Sequence, residues 1–223
     1  VRIFETSLCF EENNGELAQK SVIAGLCYGR RLPEQWSVDD KSVDFYDIKG
    51  DIEEFLSSED ISFHRLEDSR LHPGKSASIV IGGVRVGIVG EIHPQLASSF
   101  DIGDGVFVFE LQVDKLPQSS LQRFMPYSKY QRVRRDISLE VHSDLEVLDI
   151  VEAIESGKIP FLQKVGIFDV YEKAGSTDLT KSLAFSISFQ DTKKTLTDEE
   201  VEESILQIRS LLEDRFGARL RGN

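Results

Sequence analysis

The sequence predicts an α+β chain in two parts, a mostly antiparallel sheet unit followed by a βαββαβ ferredoxin-like sandwich. Three observations point there. Between Arg134 and Arg221 the apolar residues change period in the order strand, helix, strand, strand, helix, strand. Two Ser/Thr-x-x-Glu sequences, Ser143 to Glu146 and Thr197 to Glu200, mark helix starts by the capping-box rule. Asp114 to Tyr130 lacks sustained periodicity and carries Pro117 and Pro126, which sets a boundary between residues 1–122 and 127–223.

The first part opens with an extended run, Arg2 to Phe10, and a second from Lys20 to Tyr28 that pairs with it across the polar turn Glu11 to Glu16. Because the chain starts at Val1, without Met and already in a strand, it reads as a fragment. Ser42 is the expected cap of a helix over residues 43–56, with Phe45, Ile48, Ile52 and Leu56 as its apolar stripe and Gly50 as its weak point. Strands follow at residues 62–66, 76–81 and 84–92, the last two joined by Gly82-Gly83, where both positions tolerate positive φ. A short helix at residues 94–100 and a strand at 106–113 complete the unit.

In the second part, Ile137, Leu139 and Val141 alternate with polar residues, as do Leu183, Phe185, Ile187 and Phe189. Leu145, Leu148, Val151 and Ile154 recur at helical spacing, and so do Val201, Ile205, Ile208, Leu212 and Phe216, closed by Gly217. The helices are expected to cover Ile137, Leu139, Val141, Phe168, Val170, Leu183, Phe185 and Ile187. That leaves Ser138, Glu140, Asp169, Tyr171, Ser182, Ala184 and Ser186 on the opposite face, which serves either as a solvated surface or as a docking platform.

The formal charge of −13 argues against nucleic-acid binding driven mainly by phosphate attraction. From Tyr127 onward there are 14 Lys and Arg against 18 Asp and Glu, so −9 of the total lies in the first 126 residues. Lys129, Arg132, Arg134 and Arg135 make a local basic cluster, open to either a solvated linker or a phosphate contact. No run of about 18 apolar residues and no basic-then-apolar leader occurs, so a cytoplasmic protein is expected. Cys9 and Cys27 stand apart from each other and from any His cluster, and buried free thiols are expected.

Motifs for self-contained chemistry are missing. The glycines from Gly82 to Gly90 fit neither phosphate-loop pattern and suit a hairpin. His64, His72, His93 and His142 are dispersed, and His72-Pro73 and His93-Pro94 look like turns. Asp39, Asp40, Asp44, Asp47 and Asp51 are either a metal site or the acidic bias of a helix N-terminus, and the second fits better.

Six ordered motifs carry a resemblance: Leu71 to Ala77, Gly87 to Pro94, Arg134 to Ile137, Phe168 to Tyr171, Lys181 to Phe185 and Thr195 to Val201. Together they resemble the C-terminal region of bacterial phenylalanyl-tRNA synthetase β subunits. The resemblance implies that residues 1–122 are the end of a noncatalytic class II synthetase-like core domain and residues 127–223 a ferredoxin-fold anticodon-binding domain. It further implies an α2β2 heterotetramer whose α subunit carries out aminoacylation with ATP and magnesium, this chain holding no cofactor of its own. Consistent with that, Arg2 to Glu5 and the Gly82 to Gly90 hairpin do not give the class II motifs of an active site. The partners implied are tRNA(Phe) and the α subunit.

By the same resemblance, tRNA-binding candidates are Tyr171 for stacking, Asp169 as an edge acceptor, and Ser182, Ala184 and Ser186 as a low floor admitting a base. Arg134, Arg135 and Lys129 are candidates for phosphates. Two alternatives remain open: Arg134 pairs with Asp136, and Ser186 is a solvated strand position. Two further function classes compete, a structural assembly module, which suits residues 1–122, and an amino-acid-sensing βαββαβ domain, which the glycine-free turn His142-Ser143-Asp144 disfavours.

Overall fold

The computed structural model describes residues 1–13, 15–56, 60–117, 127–171 and 179–220. It divides the chain into two compact units, Val1–Leu121 and Gln122–Asn223.

The first unit is an antiparallel sheet of six strands: β1 (Arg2–Asn13), β2 (Glu16–Cys27), β3 (Ile61–Arg65), β4 (Leu71–Ile81), β5 (Val84–Ile92) and β6 (Phe107–Gln112). They lie in the order β1-β2-β6-β5-β4-β3. Helix α1 (Phe45–Leu56) covers one face, placing Ile48 and Ile52 on Cys27, Ile79, Val89, Phe107 and Leu111. The expected cap at Ser42 is replaced. Asp44 Oδ1 accepts from the N–H groups of Tyr46 and Asp47 at 2.8 and 3.1 Å, while Asp47 accepts from the Asp44 N–H at 2.9 Å, so the helix starts two residues later. Ser42 lies instead in a bridge with Arg30.

The β4–β5 turn has Gly82 and Gly83 at φ 56° and 76°, as a tight hairpin requires. The two resembling motifs of this unit pair across β4 and β5 at the end away from that turn. The buried carboxylate of Glu91 receives Lys75 Nζ on one oxygen and the Gly105 N–H, at 2.9 Å, on the other. Burial pushes the Glu91 carboxyl up, but these two donors outweigh it and leave it below its ordinary value. Both motif histidines act locally. His72 Nδ1 accepts from the Gly74 N–H at 3.0 Å, and His93 Nδ1 accepts from Gln95 at 3.2 Å to cap α2 (Pro94–Ser99). Cys27 is buried and its thiol pushed up to about 11 by desolvation, whereas Cys9, contrary to expectation, is exposed on the outer strand β1.

The second unit pairs β7 (Val133–His142), β8 (Leu162–Tyr171), β9 (Thr180–Phe189) and β10 (Arg219–Leu220) in the order β10-β7-β9-β8, with α3 (Val147–Ser156) and α4 (Asp198–Phe216). This is the ferredoxin-like arrangement the periods predict. Both helices pack on one face, against Ile137, Leu139, Val141, Leu183, Phe185 and Ile187. Helix α4 is bounded as its sequence says: Thr197 and Glu200 form both bonds of the capping box, and Gly217 closes it at φ 63°. The box expected at Ser143 does not form. The Ser143 N–H bonds the Leu179 carbonyl at 2.9 Å, prolonging the sheet, so α3 begins only after Glu146 and has no side-chain cap.

Two glycines test the first unit from opposite sides. A Cβ at Gly50, mid-helix in α1, meets nothing within 4 Å, whereas at Gly87 it would lie 2.2 Å from the Glu110 carbonyl oxygen. Gly50→Ala should therefore raise stability by roughly 0.5–1 kcal/mol. Gly87→Ala should lower the urea midpoint, because two paired strands would have to separate. A second expectation concerns pH. Side-chain hydrogen bonds from Arg70 at 3.0 and 2.8 Å, with its backbone N–H at 2.9 Å, hold the Asp68 carboxyl at about 2 against an ordinary 3.8. A carboxyl lowered by folding stabilises the fold above its unfolded value and loses that contribution as pH falls toward the folded one. Urea midpoints measured from pH 4 down to pH 2 should fall less steeply in Asp68→Asn than in the unchanged chain.

Candidate nucleic-acid interface

The helix-free face of the second unit is ordered by its cross-strand register. Because residues paired across antiparallel strands point to the same side, the face consists of rows. Glu140, Ser182 and Tyr171 form one, Ser138, Ala184 and Asp169 the next, then Asp136, Ser186 and Gly166, and finally Arg134, Ser188 and Lys164. Five of the eight expected site residues, Tyr171, Asp169, Ser182, Ala184 and Ser186, thus lie together, and Arg134 joins them at the far end.

On this face the central strand β9 lies lower than the outer strand β8. Ser182, Ala184 and Ser186 on β9 are half-buried, while Asp169 is exposed and Tyr171 is 60% exposed on the outer strand β8. The Ser186 hydroxyl donates to the Gly166 carbonyl at 3.2 Å. At the far end Arg134 donates to both oxygens of Asp136, Nε at 2.7 Å and Nη2 at 3.2 Å. The pair of Arg134 with Asp136, one of the two alternatives, is thus present.

Two expectations about this face are corrected. Phe168 is not under the helices. It is an extra residue in β8, between the pairs Ile167–Phe185 and Asp169–Ala184, so the alternation slips by one there. Its ring is 55% exposed with the Arg134 guanidinium 5.5 Å from its centre, which puts it on the helix-free face. Val170 pairs with the fully buried Leu183 but is itself 53% exposed, since β8 is the outer strand and the helices do not reach its end. The sequence does hold a signal for the slip: the apolar phase runs through Val165 and Ile167 and resumes at Val170, just after Gly166.

Arg135 is not on this face. Its guanidinium reaches Asp198 at 2.8 Å and Glu202 at 3.5 Å, both on the first turns of α4, as its odd position in β7 dictates. Lys129 is exposed in the segment leading into β7, which is tied down by Ser128 donating to the Asp191 carbonyl and Gln190 donating to that of Tyr130, each at 2.7 Å. Lys194 pairs with Glu200 and leaves that carboxyl below its usual range. Among the described residues no group of three or more His, Cys, Asp or Glu converges on a metal position, and the acidic residues Asp40, Asp47 and Asp51 of the first unit each hold an arginine. No helix among them is long and apolar enough to cross a membrane.

The first unit offers a surface of another kind. On the sheet face away from α1 there is a shallow depression of about 480 Å³, floored by Ile3, Leu26, Ile88 and Val108 and walled by Leu96 and Phe100. Glu5, Arg70 and Glu110 are its charged lining residues. Beside it β1 is a twelve-residue outer strand with Ile3, Phe4, Leu8 and Phe10 exposed.

A four-stranded sandwich with one helix-free face of small, aromatic and charged residues defines a class of binding domain, and residues 128–221 match the family model of the ferredoxin-fold anticodon binding domain. Residues 1–113 match the model of the phenylalanyl tRNA synthetase beta chain CLM domain, and the chain belongs to that family. A phenylalanine–tRNA ligase beta subunit from Nitrosospira multiformis is 40% identical over 221 residues, which is 99% of this chain and 28% of the relative. Those from Methylococcus capsulatus and Legionella pneumophila (strain Lens) are 40% and 36% identical, with the same coverage. The chain therefore spans little more than a quarter of the length of these relatives.

The placement of Arg135 generates a test. Arg135→Ala should lower the stability of the second unit by no more than about 1 kcal/mol, the range of a partly exposed ion pair. It should leave RNA affinity within about twofold, read by titration at fixed salt, since its charge is on the helix side and already paired.

Proposed function

We propose that the chain works as part of a phenylalanine–tRNA ligase β subunit, with residues 127–223 binding the anticodon region of tRNA(Phe). The observation that carries this is the convergence of Tyr171, Asp169, Ser182, Ala184 and Ser186 on one side of a sheet whose other side is filled by helices. Unpaired bases are recognised by ring stacking and by hydrogen bonds to their edges. Tyr171 supplies the ring, Asp169 accepts from a base edge, and the small β9 residues leave room for the base to lie low. Lys129 is placed to meet a phosphate at the entry to β7.

In the same proposal residues 1–122 are a noncatalytic class II-like scaffold. They assemble with a catalytic α subunit in an α2β2 heterotetramer, which draws ATP and magnesium to the α chain and works in the cytoplasm. The shallow apolar depression and the exposed apolar residues of β1 support an assembly role, as buried protein interfaces are built on such patches. No residue of this chain is assigned to the chemical step.

Tyr171→Ala is the direct test. Stacking of one base contributes about 1–3 kcal/mol, so affinity for tRNA(Phe) should fall at least about fivefold with far-ultraviolet circular dichroism unchanged. Equal affinity in the variant would remove the stacking role.

A further inference from the structure

Arg134 was expected at a phosphate, but its surroundings suit it poorly to that task. Nε and Nη2 are both engaged by the Asp136 carboxylate, which neutralises most of the charge a phosphate would feel. The guanidinium Cζ lies over the Phe168 ring, 5.5 Å from the ring centre. The Arg134 side chain is 58% exposed and that of Asp136 52%, so the pair does little to hold the fold together. It does fix the orientation of a flat, polarisable group on a sheet face that otherwise has a single ring, Tyr171.

We infer that Arg134 and Phe168 form a second base-stacking position on this face, with Asp136 as the positioning residue, so that the domain seats two unpaired nucleotides rather than one. Guanidinium planes and aromatic rings both accept stacked bases. Phe168 follows the helix-side pair Val165 and Ile167 out of phase and so lies on the helix-free side, and the register shift after it brings Asp169 and Tyr171 onto that same face. Ser186 and Ser188, half-buried on β9, separate the two positions from below without blocking either. The inference rests on the RNA-binding reading above and extends it to a second base.

The experiment uses the 223-residue chain and a stem–loop RNA in which 2-aminopurine replaces one loop base at a time. Stacking quenches its fluorescence. Two loop positions should be quenched on binding, one released by Tyr171→Ala and the other by Phe168→Leu and by Arg134→Lys, each with about tenfold weaker binding. The lysine variant separates the mechanisms, because it keeps the charge and loses the plane. The salt dependence of binding should be unchanged in Arg134→Lys and nearly so in Arg134→Ala. The inference is overturned, with the RNA reading intact, if Arg134→Lys behaves as the unchanged chain while Arg134→Ala lowers the salt slope by about 0.7, the loss of one single-strand phosphate contact. If no loop base responds to the unchanged chain, the RNA reading itself fails and the second position with it.

Discussion

Everything on the helix-free face of the second unit depends on what is buried behind it. Leu139, Leu183, Phe185 and Ile187 are fully buried beneath α3 and α4, and each such side chain contributes roughly 1.5–3 kcal/mol by leaving water. Because side chains alternate along a strand, a slip of one residue in β9 would move Phe185 and Ile187 into solvent and put Ser186 under the helices. The apolar side therefore fixes the register, and the register fixes which residues meet across the other side. Tyr171 faces Ser182, and Asp169 faces Ala184. Stability and the proposed recognition occupy opposite faces of the same four strands.

That coupling explains which parts were legible in the sequence. Strands β7 and β9 are flanked on both sides, so strict alternation is enforced and the faces of Ile137 to Val141 and of Leu183 to Phe189 could be assigned from period alone. Helix α4 was legible because Thr197, Glu200 and Gly217 act through bonds to their own neighbours. Ser143 carries the same signal as Thr197, but its N–H is taken by the Leu179 carbonyl, a partner 36 positions away that local pattern does not contain. Strand β8 is the edge, where a bulge costs only one row of hydrogen bonds, and there the alternation rule misplaced Phe168. Arg135 was assigned by charge, although its position in the β7 alternation already put it beside α4.

The first unit shows the same division between local and distant information. The Gly82-Gly83 turn and the stripe of α1 were readable because they are contiguous. The sheet order is another matter: β6 lies between β2 and β5, so its pairing with β2 joins Ile23 to Leu111. Nothing in either strand's own pattern announces that partner. The exposed position of Cys9 has the same origin, for β1 has a neighbour on one side only. The motifs Leu71 to Ala77 and Gly87 to Pro94 carry no catalytic pattern, and their residues are occupied in holding the two strands together. Glu91 anchors Lys75 and the loop at Gly105, and Gly90 lets the Lys75 carbonyl oxygen approach where a Cβ would sit 2.8 Å away.

Charge decides how a domain of this kind can engage RNA. The second part of the chain has a small net negative charge, and several of its cations are paired: Arg135 with Asp198 and Glu202, Lys194 with Glu200, Arg209 with Glu213 and Arg134 with Asp136. A field so compensated gives little sequence-independent attraction to phosphates, the term that dominates nonspecific binding. What is left is short-ranged, namely ring faces, a planar cation and polar groups at fixed spacing, all of which require the bases to be unpaired and splayed before they can be met. Such a surface loses little to competing double-stranded RNA, since stacked and paired bases present it with nothing to hold. In the proposed RNA-binding role, its weakness in general attraction is the same property that would favour a loop, and further affinity would come from contacts made outside this face.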